Sequence, residues 1–192
     1  ETIYSARFMG ESGYFVTYEQ VDPLFSVDLS DPEKPKILGK LKIPGFSEYL
    51  HFYGEDRLLG IGMSTDEESG VAEGVKITMF NISDRSDVKE ESTLVLDDLY
   101  GSHAAYDYKS VLADPEKNVI GLSGYSQNGE SYYLLTYNRT DRKFETILQE
   151  EVNGNTSQGI RGIYIEDTLY VISGNIIEAY DMNTGVKSGD II

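Results

Sequence analysis

Four times along the chain an alternating apolar run, a polar corner and a second alternating run follow one another. They read LFSVDLSDPEKPKILGKLKI from Leu24, VKITMFNISDRSDVKEESTLVL from Val75, SYYLLTYNRTDRKFETILQEEV from Ser131 and IIEAYDMNTGVKSGDII from Ile176. In the first copy Phe25, Val27 and Leu29 fall on one face, with Ser26, Asp28 and Ser30 on the other. The returning run sets Ile37, Leu41 and Ile43 against Lys36, Lys40 and Lys42, so each copy reads as a β-hairpin. Pro32 and Pro35 fix φ at the first corner and donate no hydrogen bond, which stops the strands there. A hairpin recurring every ~45 to 55 residues describes a sheet that buries its faces only against a neighbouring copy.

Two further strand candidates precede each hairpin. They are 3–9 and 14–19, 47–53 and 57–63, 102–110 and 119–126, and 159–166 and 168–174. Sixteen strands in four groups predict an all-β fold: a β-propeller of four-stranded antiparallel blades, about four in number. The blades span approximately 3–43, 46–96, 102–152 and 158–192, in a single domain or fragment covering 1–192. Runs such as YYLLTY, apolar on both faces, suit blades packed on both sides. The segment 87–100 has Val88, Glu91, Val95 and Leu99 near helical spacing, but its place in the repeat assigns it to a fourth strand. Either the chain closes as a small ring or it is an arc of a larger propeller. An arc requires self-association or a companion segment to cover its outer faces.

Fifteen Tyr and seven Phe match the strand preference of aromatic residues. Sixteen basic against 33 acidic residues give a net charge of −17, which repels phosphate backbones and anionic lipid, so no nucleic-acid partner is expected. No apolar run reaches the ~18 residues of a membrane span, and none of the chain is expected to insert. The absence of Cys excludes disulfides, thiolate metal sites and thiol catalysis. The opening ETIYSARF has neither an initiator Met nor a signal-peptide pattern, as expected of a mature protein or an excised piece.

Several blocks carry a resemblance: Arg7-Phe8-Met9-Gly10, Gln20-Val21-Asp22-Pro23-Leu24-Phe25, Asp28-Leu29-Ser30-Asp31-Pro32, Ile43-Pro44-Gly45-Phe46, Tyr49-Leu50-His51 and AAYDYKSVLADPEKNVIGLSGY over 104–125. Together they resemble the secreted bacterial and archaeal proteins with a C-terminal β-propeller domain distantly related to WD40 repeats. Tyr108 stands where that pattern carries His. The resemblance implies an exported, cell-surface-associated protein, with further sequence ahead of this region in longer relatives. It supplies no catalytic residue, and fold alone does not assign a function.

Only His51 and His103 offer imidazole chemistry, and both fall in predicted first strands, where they could act as channel-lining binding or catalytic groups. Their tyrosine neighbours Tyr49, Tyr106 and Tyr108, with Tyr53 and Tyr100, are candidates for a binding patch, since Tyr supplies rigid amphipathic area. A Ser-His-Asp set could be written from His103 and Asp107, but no G-x-S-x-G elbow accompanies it. The acidic stretches Asp66-Glu67-Glu68 with Glu73, and Asp97-Asp98, raise the question of Ca²⁺. Asp181-Met182-Asn183-Thr184-Gly185 begins like a calcium loop, yet Gly185 and Ile192 stand where ligands are needed. No cofactor is therefore assigned. The insertion 64–75 reads as a long polar loop. The expected function is a noncatalytic binding or scaffold module that contacts protein or glycan at the cell surface. The alternatives are a channel-mouth hydrolase or lyase, calcium-assisted or not, and a structural spacer.

Overall fold

The computed structural model describes residues 2–18, 22–66, 68–152 and 159–191. They form two compact units, residues 1–97 and 98–192, each built from two antiparallel sheets. In the first unit one sheet runs β1 (Thr2–Met9), β2 (Ser12–Tyr18), β3 (Asp22–Asp28) and β4 (Lys36–Ile43). The other runs β5 (Phe46–Phe52), β6 (Arg57–Thr65), β7 (Ala72–Asn81) and β8 (Lys89–Leu96). In the second unit the third sheet contains β9 (Leu99–Ser102), β10 (Leu112–Asp114), β11 (Val119–Ser126), β12 (Gly129–Asn138) and β13 (Lys143–Glu151). The fourth contains β14 (Ile160–Ile165), β15 (Thr168–Ser173), β16 (Ile176–Asp181) and β17 (Lys187–Asp190). Strands pair in chain order, the meander of four blades expected from the repeat, except that β9 and β10 both pair with β11.

Two devices recur in all four sheets. Each third strand ends in Asp or Asn whose Oδ1 accepts a backbone N–H two residues on: Asp28 from Ser30, Asn81 from Ser83, Asn138 from Thr140 and Asp181 from Asn183. This Asx turn offers the backbone a local partner and so ends the strand. Each fourth strand then carries a one-residue bulge, at Leu38, Glu91, Ile147 and Ser188.

The bulge overturns one sequence expectation. Ile37 pairs with Val27, whereas Leu41 pairs with Leu24 on the opposite face, so Ile37, Leu41 and Ile43 do not share a side. The buried side of the first blade is Tyr14, Val16, Leu24 and Ile43, with Ser26 also buried. It packs on Leu50, Leu58, Phe80, Ile82 and Val88 of the second blade. Phe25, Val27 and Leu29 are only partly buried, on the face that carries the exposed Phe8 and Ile37. In the second unit Val119, Tyr132, Leu134 and Leu148 meet Ile160, Leu169, Val171 and Tyr180. Burying each large side chain of this kind contributes about 1.5–3 kcal/mol. The opposite face of the fourth blade exposes Ile163 and Ile165.

Two strand assignments also change. Residues 64–75 are not a free loop: β6 and β7 continue as a ladder to Thr65 and Ala72, leaving only 66–71 as the tip. Ser69 occupies the Asp66 carboxylate through its backbone N–H and its hydroxyl. Glu67 lies outside the described residues. The segment 102–110, expected as a continuous first strand, is broken into the end of β9 and two short 3-10 turns, His103–Ala105 and Tyr108–Ser110. The segment 87–100 does form a strand over Lys89–Leu96.

Candidate functional site

The broken inner strand of the third blade is where local sequence departs furthest from the template. The Ser102 hydroxyl accepts the Ala104 N–H and donates to the Ser123 carbonyl, anchoring the first 3-10 turn to β11. Asp107 caps the second turn by accepting the Lys109 N–H. Ala104 and Ala105 supply little strand preference to oppose these caps. Pairing with β11 is thus split, β9 holding Ser126–Gly124 and β10 holding Gly121–Val119. The intervening residues stand out as a nine-residue excursion carrying His103, Tyr106, Asp107, Tyr108 and Lys109.

His103 is buried beneath that excursion. Its Nδ1 lies 3.0 Å from the Ser123 hydroxyl, and its Nε2 lies 3.1 Å from Glu130 Oε2. Because a carboxylate can only accept, this arrangement favours the proton on Nε2 and leaves Nδ1 to accept from Ser123. The Nε2–H does not point along the line to Oε2, which remains without a well-formed hydrogen bond. Around the imidazole the aromatic rings form a row. Tyr100 stacks on Tyr125 at 6.5 Å, Tyr125 lies 4.5 Å from His103, and His103 meets Tyr106 edge-on at 5.8 Å. Tyr100 and Tyr106 are 67% and 66% exposed, and Tyr108, beneath the Lys109 ammonium, is 67% exposed. Asp107 Oδ2 and Arg161 Nη2, 3.7 Å apart, flank the excursion with polar groups of both signs.

His51 occupies a different setting in the first unit. It lies on β5 next to β1, with Nδ1 2.9 Å from the Tyr49 hydroxyl and 3.4 Å from Arg7 Nη2. Burial, assisted by the Arg7 charge, pushes its pKa below the usual histidine value, so the ring is neutral at neutral pH. Burial pushes the Tyr49 phenol up. Of the sequence candidates, the structure places Tyr49 with His51 and Tyr106 with His103, while Tyr108 stands on Lys109 rather than on either imidazole.

Some of the acidic groups read as cation ligands, Asp66, Glu73, Asp98 and Asp181, are engaged by hydrogen bonds within the fold. Asp181 Oδ1 receives Asn183 N–H, Thr184 N–H and the Thr184 hydroxyl, which closes the turn and holds its carboxyl below the usual range. Asp98 accepts from Tyr133 and Gln149. Among the described residues, no three His, Asp or Glu side chains gather as a metal site, and no helix is long and apolar enough to cross a membrane.

Residues 1–185 match the β-propeller domain family. The chain belongs to the β-propeller domain family. This β-propeller chain is 40% identical over 191 residues to an uncharacterised protein of Archaeoglobus fulgidus, covering 100% of this chain and 28% of that protein. An uncharacterised protein of Methanocaldococcus jannaschii is 36% identical over 183 residues, covering 95% of this chain and 27% of that protein. The chain therefore spans little more than a quarter of the length of these curated relatives. Among solved structures, Saccharomyces cerevisiae Sqt1 is similar at a TM-score of 0.59 and 15% identity, covering 94% of this chain and 44% of that one. That likeness concerns the fold alone.

Ser123 and Tyr125 were visible only as part of the motif block 104–125, and Glu130 was not singled out by the sequence. They lie about 20 to 27 positions from His103, and only the pairing of β9 with β11 brings them to it. Arg7 was visible only as part of a motif block, and its approach to His51 depends on β1 lying beside β5.

Proposed function

We propose that this β-propeller domain is a noncatalytic binding module, and that the row Tyr100, Tyr125, His103 and Tyr106 with neighbouring Tyr108 is its contact surface for a glycan. The observation that carries the reading is the row itself: stacked rings, two of them two-thirds exposed, held by a capped excursion from the sheet. Exposed phenol rings offer flat apolar faces to the C–H face of a pyranose and hydroxyls to its rim. Asp107, Lys109 and Arg161 add donors and acceptors beside them. We read the module as part of an exported, surface-associated protein related distantly to WD40 domains, a reading supported by the resemblance of its sequence blocks to secreted propeller proteins. The exposed apolar residues Phe8 and Ile37 of the first blade, and Ile163 and Ile165 of the fourth, are covered in this reading by a companion segment of the longer polypeptide.

The second reading is a hydrolase, and it draws on the contiguity of Ser123, His103 and Glu130. Ser123 is fully buried in the middle of β11, so its hydroxyl cannot meet a substrate. Within this reading of the domain, His103, hydrogen-bonded to the Ser123 hydroxyl and facing the Glu130 carboxylate, supports the aromatic row from inside. Calorimetric titration with a panel of cell-wall oligosaccharides tests the proposal. Saturable binding to at least one, weakened about fivefold or more by Tyr106→Ala and by Tyr100→Ala, is expected. Silence against every glycan, or binding only to surface proteins, would reject the glycan reading. Covalent labelling of Ser123 by a fluorophosphonate would favour the hydrolase.

A further inference from the structure

Arg7 and His51 hold equivalent places in the inner strands β1 and β5. They are 44 positions apart, and the same offset relates the strand-bulge residues Tyr4 and Glu48 and the positive-φ turn glycines Gly10 and Gly54. The two strands are fastened by Ser5, whose hydroxyl donates to the Ser47 carbonyl at 2.7 Å, and by the edge-on Tyr4 and Phe46 rings at 5.4 Å. The two inner strands therefore lie side by side, and at Arg7 and His51 they bring together hydrogen-bond donors.

A guanidinium can only donate, so His51 Nδ1 is an acceptor and the ring proton sits on Nε2. The Tyr49 hydroxyl approaches the same Nδ1. One lone pair faces two donors and accommodates one of them well, which leaves a donor proton over, in addition to His51 Nε2–H and the remaining N–H groups of Arg7. No carboxylate among the described residues pairs with Arg7. Glu48, which precedes Tyr49 in β5, has its pKa raised by burial with no cation offsetting that effect. A half-buried guanidinium without an internal anion is unusual in a chain of net charge −17, where carboxylates are abundant.

We propose that Arg7, Tyr49 and His51 form a binding site for a single carboxylate group of a small ligand. The planar fork of Arg7 matches a carboxylate in bidentate fashion, and the Tyr49 hydroxyl and His51 N–H supply donors to its remaining lone pairs. The overall negative charge opposes ligands carrying several anionic groups and selects for one. This site is in the first unit and needs no part of the tyrosine row, so it stands or falls separately from the glycan reading.

The chain contains two histidines, which makes their ring nitrogen resonances a direct readout. The full chain, isotopically labelled, is titrated with glucuronate as a sugar acid, N-acetylglycine as a peptide-terminus mimic, and glucuronamide as the uncharged control. A saturable shift of the His51 ring with at least one carboxylate is expected, with His103 unmoved and no saturable shift from the amide. Whichever carboxylate binds more tightly identifies the source of the group. Arg7→Gln is expected to weaken binding at least about tenfold, Tyr49→Phe less, and Arg7→Lys less than Arg7→Gln. Far-UV circular dichroism and unshifted His103 resonances verify that each variant is folded. The proposal is overturned by the absence of a saturable His51 shift with both carboxylates, by equal binding of the amide, or by undiminished affinity in a folded Arg7→Gln protein.

Discussion

The two units use the same blade plan, yet among the described residues the buried side-chain atoms without a hydrogen bond all lie in the second. In the first, Arg57 donates through Nε to Glu91 at 2.7 Å and through Nη2 at 3.1 Å, and a third bond reaches Asp56. The side chain of Glu91, the bulge residue of β8, is 3% exposed and both its oxygens accept from Arg57. In the second, Glu130 Oε2, the Tyr132 hydroxyl and the Ser173 hydroxyl are buried without a hydrogen bond. The inner strands differ in parallel: β1 and β5 run unbroken, while the third blade's inner strand is interrupted by the His103–Ser110 turns. Buried polar groups left unsatisfied cost stability and concentrate where a structure serves something besides folding. In the second unit one of these groups, Glu130 Oε2, lies against His103 within the tyrosine row.

The largest effect that could break this contrast lies at Arg57. Arg57→Ala strands a buried carboxylate and is expected to cost about 3–5 kcal/mol in urea unfolding. The double change Arg57→Met with Glu91→Leu should recover most of it, and a single variant costing under 1 kcal/mol would mean the pair is not buried as described. Next come the two faces of the fourth blade. Val171→Ala opens a cavity against Leu134 and Leu148 and should cost about 2 kcal/mol. Ile163→Ala on the exposed face should stay within about 0.5 kcal/mol.

Tyr132→Phe sharpens the comparison from the other side. The Tyr132 hydroxyl lies in a slot left by Gly121 and Gly162, where an added Cβ on either would collide with it, and it has no partner. Burial pushes the phenol far above its ordinary pKa. Removing the oxygen should be neutral or raise thermal stability by about 1 kcal/mol. A loss larger than that would reveal a hydrogen bond and erase the asymmetry between the units.

The smallest effect is the pH dependence of His51. Its folded pKa lies below the unfolded value of about 6.5, so the folded state binds fewer protons there. Its contribution is full above pH ~6.5 and is lost as the pH falls through that value toward the folded pKa. Glu48, with its raised pKa, acts with the opposite sign, its stabilisation being present at low pH and lost as the pH rises through its folded value. The difference between wild type and His51→Gln isolates the histidine. Stability should decline less steeply from pH 7 to pH 5 in the variant, as read from thermal midpoints across that range.

Much of the architecture was legible because a repeated hairpin is a local pattern. The runs from Leu24, Val75, Ser131 and Ile176 all became third and fourth strands. What failed were features in which one residue changes the parity of a strand. The Leu38 bulge turned Ile37 away from Leu41, and alternation alone gives no sign of a bulge. The caps Ser102 and Asp107 were present in the sequence, but the aromatic residues around them favoured a strand reading of 102–110. The environments of the two histidines were hidden for another reason. His51 meets Arg7 and His103 meets Ser123 through pairings distant in sequence.

The contact surface proposed for this module is the exposed tyrosine row of the interrupted inner strand. Backbone amide mapping of the full chain with the tightest-binding oligosaccharide tests it most directly. Perturbations should cluster at residues 99–111 and at Tyr125, with the Asx turns at Asp28, Asn81, Asn138 and Asp181 unchanged. Perturbations centred on those outer turns, with residues 99–111 silent, would contradict it.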